Sequence, residues 1–353
     1  MWKRLHDGVN HHLRTVLKGR FASYCRPTSI IFLLTERCNA RCVHCDIWKN
    51  KGREDSPSVE QWKMVLSDLR RWLGPVQVVF SGGEALLKPF TVDLVAFSSS
   101  IGLFQEVLSH GLWQDQSRIE QLAMAKPWQV TVSFDGFGGV HDKIRGRENF
   151  FEHTLASIRT LQRVRTERNL SYHIQLKTVL MSHNLEEAGK IAEFASQPGM
   201  NVFYQAIEQN YNTTEDARWF EQSENWPKDT DRAAAVVDEL IGLKRKGLHI
   251  ANSDAQLQAM IAYFGNPWAQ RMSIQAHTAH EKRAMCGALT TLQIQSNGDV
   301  TICAGKAPVG NIKTGPIRSI WENRPRFWEN GCCLEERLIE TEEQVRSLAA
   351  PAR

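Results

Sequence analysis

The sequence predicts an α/β fold: a partial (β/α)6 TIM-like barrel with a small C-terminal cysteine-containing extension. Three observations carry that expectation. Strand-like apolar runs alternate with helix-like stretches six times over residues 28–207, at a spacing of roughly 25 to 40 residues, the rhythm of parallel β/α folds. Four successive strand ends carry polar or glycine-rich punctuation, where such folds gather their chemistry. The cysteines are clustered, four in the first 45 residues and four after residue 285.

In chain order, residues 28–34, with Ile30-Ile31-Phe32-Leu33-Leu34, read as a buried strand. Ser56-Pro57 opens a helix by the favoured proline start, and Trp62, Val65, Leu69 and Trp72 follow at helical spacing. VQVVF (76–80) is strand-like and 88–100 helical; FQEVL (104–108) is a strand, with a helix near 115–125. QVTVSF (129–134) is a strand and 151–164 a helix. YHIQLKTVL (172–180) alternates as a strand does, a helix follows at 184–196, and NVFYQAI (201–207) closes the series. A full eightfold barrel would need two more units. Residues 208–231 are polar and acidic, and read as a linker or lid in which Trp219, Phe220 and Trp226 either cover a cavity or anchor the segment. Helices near 231–246 and 253–264 come next. The expected organisation is a basic helical segment (1–27), the barrel (28–207), a linker or lid with helices (208–285) and the extension (286–353).

The 353 residues are 42% hydrophobic, enough for one large domain with a smaller one appended. The net charge of +4 is supplied by residues 1–20, where Lys3, Arg4, Arg14, Lys18 and Arg20 stand against Asp7, so no nucleic-acid partner is expected. Trp2, Leu5, Val9, Leu13, Val16 and Leu17 form a helical stripe in that segment. Packing over the barrel is the favoured reading of the stripe. Peripheral contact with an acidic membrane is the alternative. The segment is too short for a separate peptide-recognition domain. There is no secretory h-region and no membrane-length apolar run, and the cysteines are too few for a disulfide scaffold. Thiolate ligands in a reducing, cytoplasmic setting are expected.

Cys38, Cys42 and Cys45 stand on the loop leaving the first strand. Structural zinc takes four protein ligands. A protein-held cubane takes four cysteines. Three thiols wrap three corners of a cubane and leave one metal open, which a catalytic centre needs. The alternative is zinc completed by His44 or Cys25. His44 would have to turn back on its own loop, and Cys25 would have to reach from the opposite end of the strand.

In that position Cys-x3-Cys-x2-Cys resembles the radical S-adenosylmethionine (SAM) superfamily, over residues 28 to about 207. The resemblance implies that Cys38, Cys42 and Cys45 hold a [4Fe–4S] cluster whose fourth iron is chelated by SAM. It also implies that one electron cleaves SAM to methionine and a 5′-deoxyadenosyl radical, which abstracts a substrate hydrogen. Gly82-Gly83-Glu84 resembles the family's G-G-E, which meets the SAM amino group. Glycines let carbonyls approach an ammonium, and a carboxylate balances its charge. Ser109-His110-Gly111 resembles T-N-G at the third strand, with His110 replacing the asparagine. Ser133 and Asp135 resemble the S-x-D-G of the fourth strand, which reaches the ribose and methionine parts of SAM. Turn capping is the plainer alternative for these residues. Arg145 matches a family arginine, read as a carboxylate ligand or a solvated charge. His44 fills the place of an aromatic against adenine.

Cys286, Cys303, Cys332 and Cys333 form the second group. LQIQ and VTIC flank Asn297-Gly298, a hairpin signal that brings Cys286 and Cys303 together. The segment resembles the SPASM and twitch extensions of radical SAM enzymes, which implies an auxiliary iron–sulfur cluster. The two clusters of a full SPASM domain need about seven cysteines, so four allow one, with Cys332 or Cys333 a spectator. A four-cysteine zinc site is the alternative.

These resemblances imply an oxidoreductase that oxidises or crosslinks a peptide or protein side chain. A small molecule, sugar or lipid is the alternative substrate, and flavodoxin or ferredoxin the implied reductant. A zinc-binding structural protein and a pure electron carrier are the rival classes.

Overall fold

All six expected strands form, and each lies beside its neighbour in chain order. The computed structural model describes residues 2–16, 21–50, 55–214, 216, 218–265, 267, 286–303 and 306–326. The order is α1 (Trp2–His11), β1 (Ser29–Leu33), α2 (Val59–Leu73), β2 (Gln77–Ser81), α3 (Thr91–Ser100), β3 (Phe104–Ser109), α4 (Ser117–Met124), β4 (Gln129–Ser133), α5 (Gly139–Arg145) and α6 (Phe150–Glu167). Then come β5 (His173–Leu180), α7 (Ala188–Ala195), β6 (Met200–Ala206), α8 (Trp219–Gln222), α9 (Thr230–Arg245), α10 (Asp254–Gly265), β7 (Thr291–Ile294), β8 (Asp299–Thr301), β9 (Gly310–Asn311) and α11 (Ile317–Glu322).

Strands β1 to β6 pair in parallel, the arrangement that β/α crossovers impose. Successive side chains take opposite faces. Ile30, Phe32, Val78 and Phe80 are fully buried on the helix side. Ile31, Leu33, Val79, Ser81, Leu108 and Ser133 share the other face and line a cavity at the carboxyl ends of the strands. That parity places Gln77, Glu106, Thr131 and Lys177 on the inner face too.

Four local features differ from expectation. Helix α2 starts at Val59 rather than at Pro57. Ser58 caps it by accepting from Gln61 N at 3.2 Å while Gln61 Oε1 accepts from Ser58 N at 2.8 Å, a reciprocal box stronger than the proline signal. Helix α5 has no counterpart in the sequence reading; its seven residues lie between Gly138 and Gly146, too short to show periodicity. Helix α1 forms, but two residues of its expected stripe, Leu5 and Val9, face outward, while Leu13 just beyond it packs against the core. Leu5 is 54% and Val9 45% exposed, while His6 and Asn10 are buried. The His6 ring meets Leu73 O at 2.7 Å, and Asn10 exchanges two hydrogen bonds with the Arg26 backbone. These hydrogen bonds tie the helix to the barrel and to the segment before β1. Finally, the extension is joined to the barrel's sheet: β7 adds in parallel to β1, from Ser29↔Thr291 to Phe32↔Ile294.

The hairpin at Asn297-Gly298 forms, with β7 antiparallel to β8 and Gly298 at φ 88°. In the 208–231 stretch Trp226 is buried against Trp219, Phe220, Tyr263 and Phe264, the anchoring alternative. No helix among the described residues is long and apolar enough to cross a membrane.

Candidate active site

The loops leaving β1, β2 and β3 and the end of β4 surround a cavity of about 380 Å³. Cys38, Cys42, Cys45, His44, Gly82, Gly83, Glu84, Ser109, Ser133 and Arg145 all line it. Asp135 does not. Its two neighbours in the chemistry, Arg145 and the thiols, explain where it went.

Asp135 is fully buried just past the end of β4, where Oδ1 accepts from Val179 N at 2.9 Å and Oδ2 meets Arg145 Nη2 at 2.5 Å. Burial raises its carboxyl, but the Arg145 guanidinium outweighs this and holds it below the usual carboxylate range. Arg145 stays charged, and its Nη1 points at Cys42 Sγ, 3.6 Å away. It is therefore a buried, paired cation rather than a solvated one. Helix α5 makes this possible. Gly146 ends it in the left-handed region at φ 71°, and the carbonyls of Ile144 and Arg145 accept from Val43 N and Arg41 N, each at 3.0 Å. The missed helix thus clamps the cysteine loop.

The glycines of the second strand end serve a close approach between loops. Gly83 N donates to Thr35 O at 2.8 Å and Glu84 N to Arg37 O at 2.9 Å. A Cβ at Gly82 would overlap Thr35 O, and one at Gly83 would overlap Arg37 O. Glu84 is buried and accepts from Leu86 N (3.1 Å), His110 N (2.9 Å) and Ser109 Oγ (3.3 Å). Burial pushes its carboxyl up to about 7 against those three donors.

His110 ties the third strand end to the thiols. Its Nδ1 accepts from Leu112 N at 2.9 Å, so Nε2 carries the proton and donates to Asn39 Oδ1 at 2.7 Å. Burial, then Arg145, lowers it to about 3. The ring is neutral, and its 3.3 Å approach to Glu84 is no ion pair. His44 is likewise lowered to about 4 by burial, and among the described residues its buried Nδ1 has no hydrogen-bond partner.

A strap from the segment after β6 completes the rim. Asp46 N donates to Tyr211 O at 2.9 Å, and the side-chain amides of Asn210 and Asn225 both donate to Val43 O, at 3.1 and 2.9 Å. Tyr211 and Trp48 line the cavity, and Arg41 lies 4.8 Å over the Trp48 ring. Nothing in the local pattern marked Asn39, Trp48 or Tyr211 as site residues.

The thiols fit a group larger than one ion. Among the described residues no three His, Cys, Asp or Glu side chains converge on a single-ion point, although the three thiols share one cavity. Cys25 lies in a different cavity, beside Trp72 and Trp321, so it does not complete the triplet. Burial pushes Cys38 up to about 12 and also raises Cys45, a cost that metal binding offsets by displacing the proton. Of the second group, Cys286 is buried and Cys303 half-buried beside the hairpin; Cys332 and Cys333 lie outside the described residues.

Residues 32–195 match the model of the radical SAM superfamily, and residues 286–342 that of SPASM, an iron–sulfur cluster-binding domain. The chain belongs to the radical SAM superfamily. This radical SAM enzyme uses a [4Fe–4S] cluster and SAM, and its SPASM domain implies auxiliary iron–sulfur binding. It is 28% identical over 319 residues to the AdoMet-dependent heme synthase of Methanosarcina barkeri, covering 85% of this chain and 84% of that protein. It is 28% identical over 171 residues to the PqqA peptide cyclase of Bradyrhizobium diazoefficiens, covering 48% of this chain and 43% of that protein. Its fold resembles that of Streptococcus suis SuiB bound to precursor peptide SuiA, with a TM-score of 0.64 at 13% identity, over 92% of this chain and 70% of SuiB.

Proposed function

We propose that this radical SAM enzyme removes a hydrogen atom from a carbon of a small, carboxylate-bearing substrate of the tetrapyrrole class. One observation carries the substrate class: the likeness to a heme synthase covers 85% of the chain. The likeness to a peptide cyclase covers about half of it. This reverses the order of substrates that the motifs alone imply. The second reading, a peptide side chain, draws on that half-length likeness.

In this reading Cys38, Cys42 and Cys45 hold the radical cluster, and Cys286 and Cys303 hold an auxiliary cluster with Cys332 or Cys333. When bound, the cluster and SAM supply the 5′-deoxyadenosyl radical that takes the hydrogen. The chain's own residues do the rest. Arg145, fixed by Asp135, presents a permanent cation beside Cys42; His44 offers a neutral ring to the cavity wall; Ser133 and Glu84 supply polar contacts to the amino-acid end of SAM. The Tyr211 strap screens the thiols from water.

The test is anaerobic reconstitution with iron and sulfide, then incubation with SAM, reductant and iron coproporphyrin III, a tetrapyrrole with four carboxylates. Expected are about eight irons per chain, 5′-deoxyadenosine that rises with the porphyrin, and a porphyrin product of altered mass. 5′-Deoxyadenosine that rises with a peptide and not with tetrapyrroles would favour the second reading. Bound zinc with no 5′-deoxyadenosine would overturn the ligand assignment.

A further inference from the structure

Below the cofactor cavity, the inner face of the sheet is polar where barrels of this kind are filled by branched apolar side chains. Glu106 is the centre of it. Its Oε2 accepts from Gln77 Nε2 at 2.9 Å, and its Oε1 accepts from Thr131 Oγ1 at 2.7 Å and Gln129 Nε2 at 3.3 Å. Three donors satisfy that carboxylate without any cation.

Lys177 shares this face. The register sets it directly beside Ser133, which lines the cofactor cavity, with Phe203 on its other side. The residue is half-buried, and among the described residues its ammonium makes no hydrogen bond and no ion pair. Its charged neighbours, Glu106, Glu208, Arg145 and Asp135, act on it across Coulombic range only. Each has other business: Glu106 has its three donors, Asp135 and Arg145 hold one another, and Glu208 is exposed to solvent. An ammonium carries three donors, and leaving them partly out of water without acceptors is unfavourable. The position is costly unless something brings an acceptor to it.

We infer that Lys177 is a carboxylate-recognition residue of the barrel interior, and that the carboxylate is the substrate's. This rests on the tetrapyrrole reading above. The same chemistry is present in the methionine end of SAM, and the experiment separates the two sources. Arg145 already stands beside Cys42 as a cation for the cofactor end, which leaves Lys177, one strand farther round the sheet, for the substrate.

The test uses the reconstituted full chain, anaerobically, as wild type, Lys177→Met and Lys177→Arg. Methionine keeps the length of the stem and removes the charge, and the iron content of each variant reports that it has folded and loaded. Dissociation constants are measured for SAM, for iron coproporphyrin III and for its uncharged tetramethyl ester. The expected result is that Lys177→Met weakens the porphyrin about tenfold to a hundredfold. Arginine recovers most of the loss, and the ester and SAM bind all three proteins alike. A loss confined to SAM keeps the carboxylate assignment and moves its source to the cofactor. Unchanged binding of both SAM and porphyrin overturns the inference. A wild type that binds no porphyrin refutes the tetrapyrrole reading alone; SAM binding then decides Lys177, a loss in Lys177→Met upholding it and no change overturning it.

Discussion

A methyl group added at Gly83 would overlap the carbonyl oxygen of Arg37, which the backbone of Glu84 also uses as an acceptor. Gly83→Ala is expected to cost about 1–3 kcal/mol of stability and to loosen the cysteine loop, read by denaturant midpoint and by iron retained after reconstitution. His110 makes a second prediction, on pH. The unfolded chain protonates a histidine near pH 6.5, whereas folded His110 stays neutral down to about 3. Between those values the unfolded state binds more protons, so this group's contribution is present above pH 6.5 and is lost as pH falls. Glu84 runs the other way: its folded carboxyl keeps a proton up to about 7, so its contribution weakens as pH rises from about 4.5 to 7. The two slopes oppose, so the informative quantity is a difference. His110→Asn should shrink the stability lost between pH 7.5 and 5.5 by about 1 kcal/mol relative to wild type, measured by urea denaturation of the cluster-free chain. The glycines and the histidine were legible as motif positions because their types and order are local. Their working partners, Arg37, Thr35 and Asn39, were not, because a contact between two loops leaves no mark on either.

Elements were legible in proportion to their length and periodicity. Strands β1 to β6 each show as an apolar run, and α2, α6, α9 and α10 each show one buried stripe. Helix α5 has seven residues and two flanking glycines, so its only signal is the αL stop at Gly146, yet it carries Arg145 and clamps the loop. The strap after β6 is similar: an acidic, polar stretch in which Asn210 and Asn225 share one acceptor, Val43 O. Replacing Asn210 and Asn225 together by alanine should leave the barrel folded and speed the loss of cluster iron to a chelator by several-fold. An unchanged release rate would show that the strap lies on the loop without holding it.

For the whole molecule, the largest departure from expectation is the sheet that runs unbroken from β6 to β9. An appended extension implied a separate body. Instead β7 covers the edge of β1, the strand that carries the thiol loop, and an uncovered strand edge invites pairing with other chains. A chain ending at residue 265 should therefore have a lower melting temperature and scatter light on warming, even though every barrel strand remains. Pairing partners across more than 250 residues are beyond any local pattern, which is why this joint was not foreseen.

That joint also fixes the wiring of the molecule. Because β7 runs in the direction of β1 and β8 returns, Cys286 and Cys303 flank the open end of the hairpin, where Thr291 pairs with Ser29. The loop of Cys38 leaves β1 at the other end, past Leu33. The five residues of β1, at about 3.3 Å each, therefore lie between the open end of the hairpin and the start of the Cys38 loop. A group held at each end would be a separate centre, with Cys38, Cys42 and Cys45 holding one and Cys286 and Cys303 the other, and a single strand would set the spacing between them.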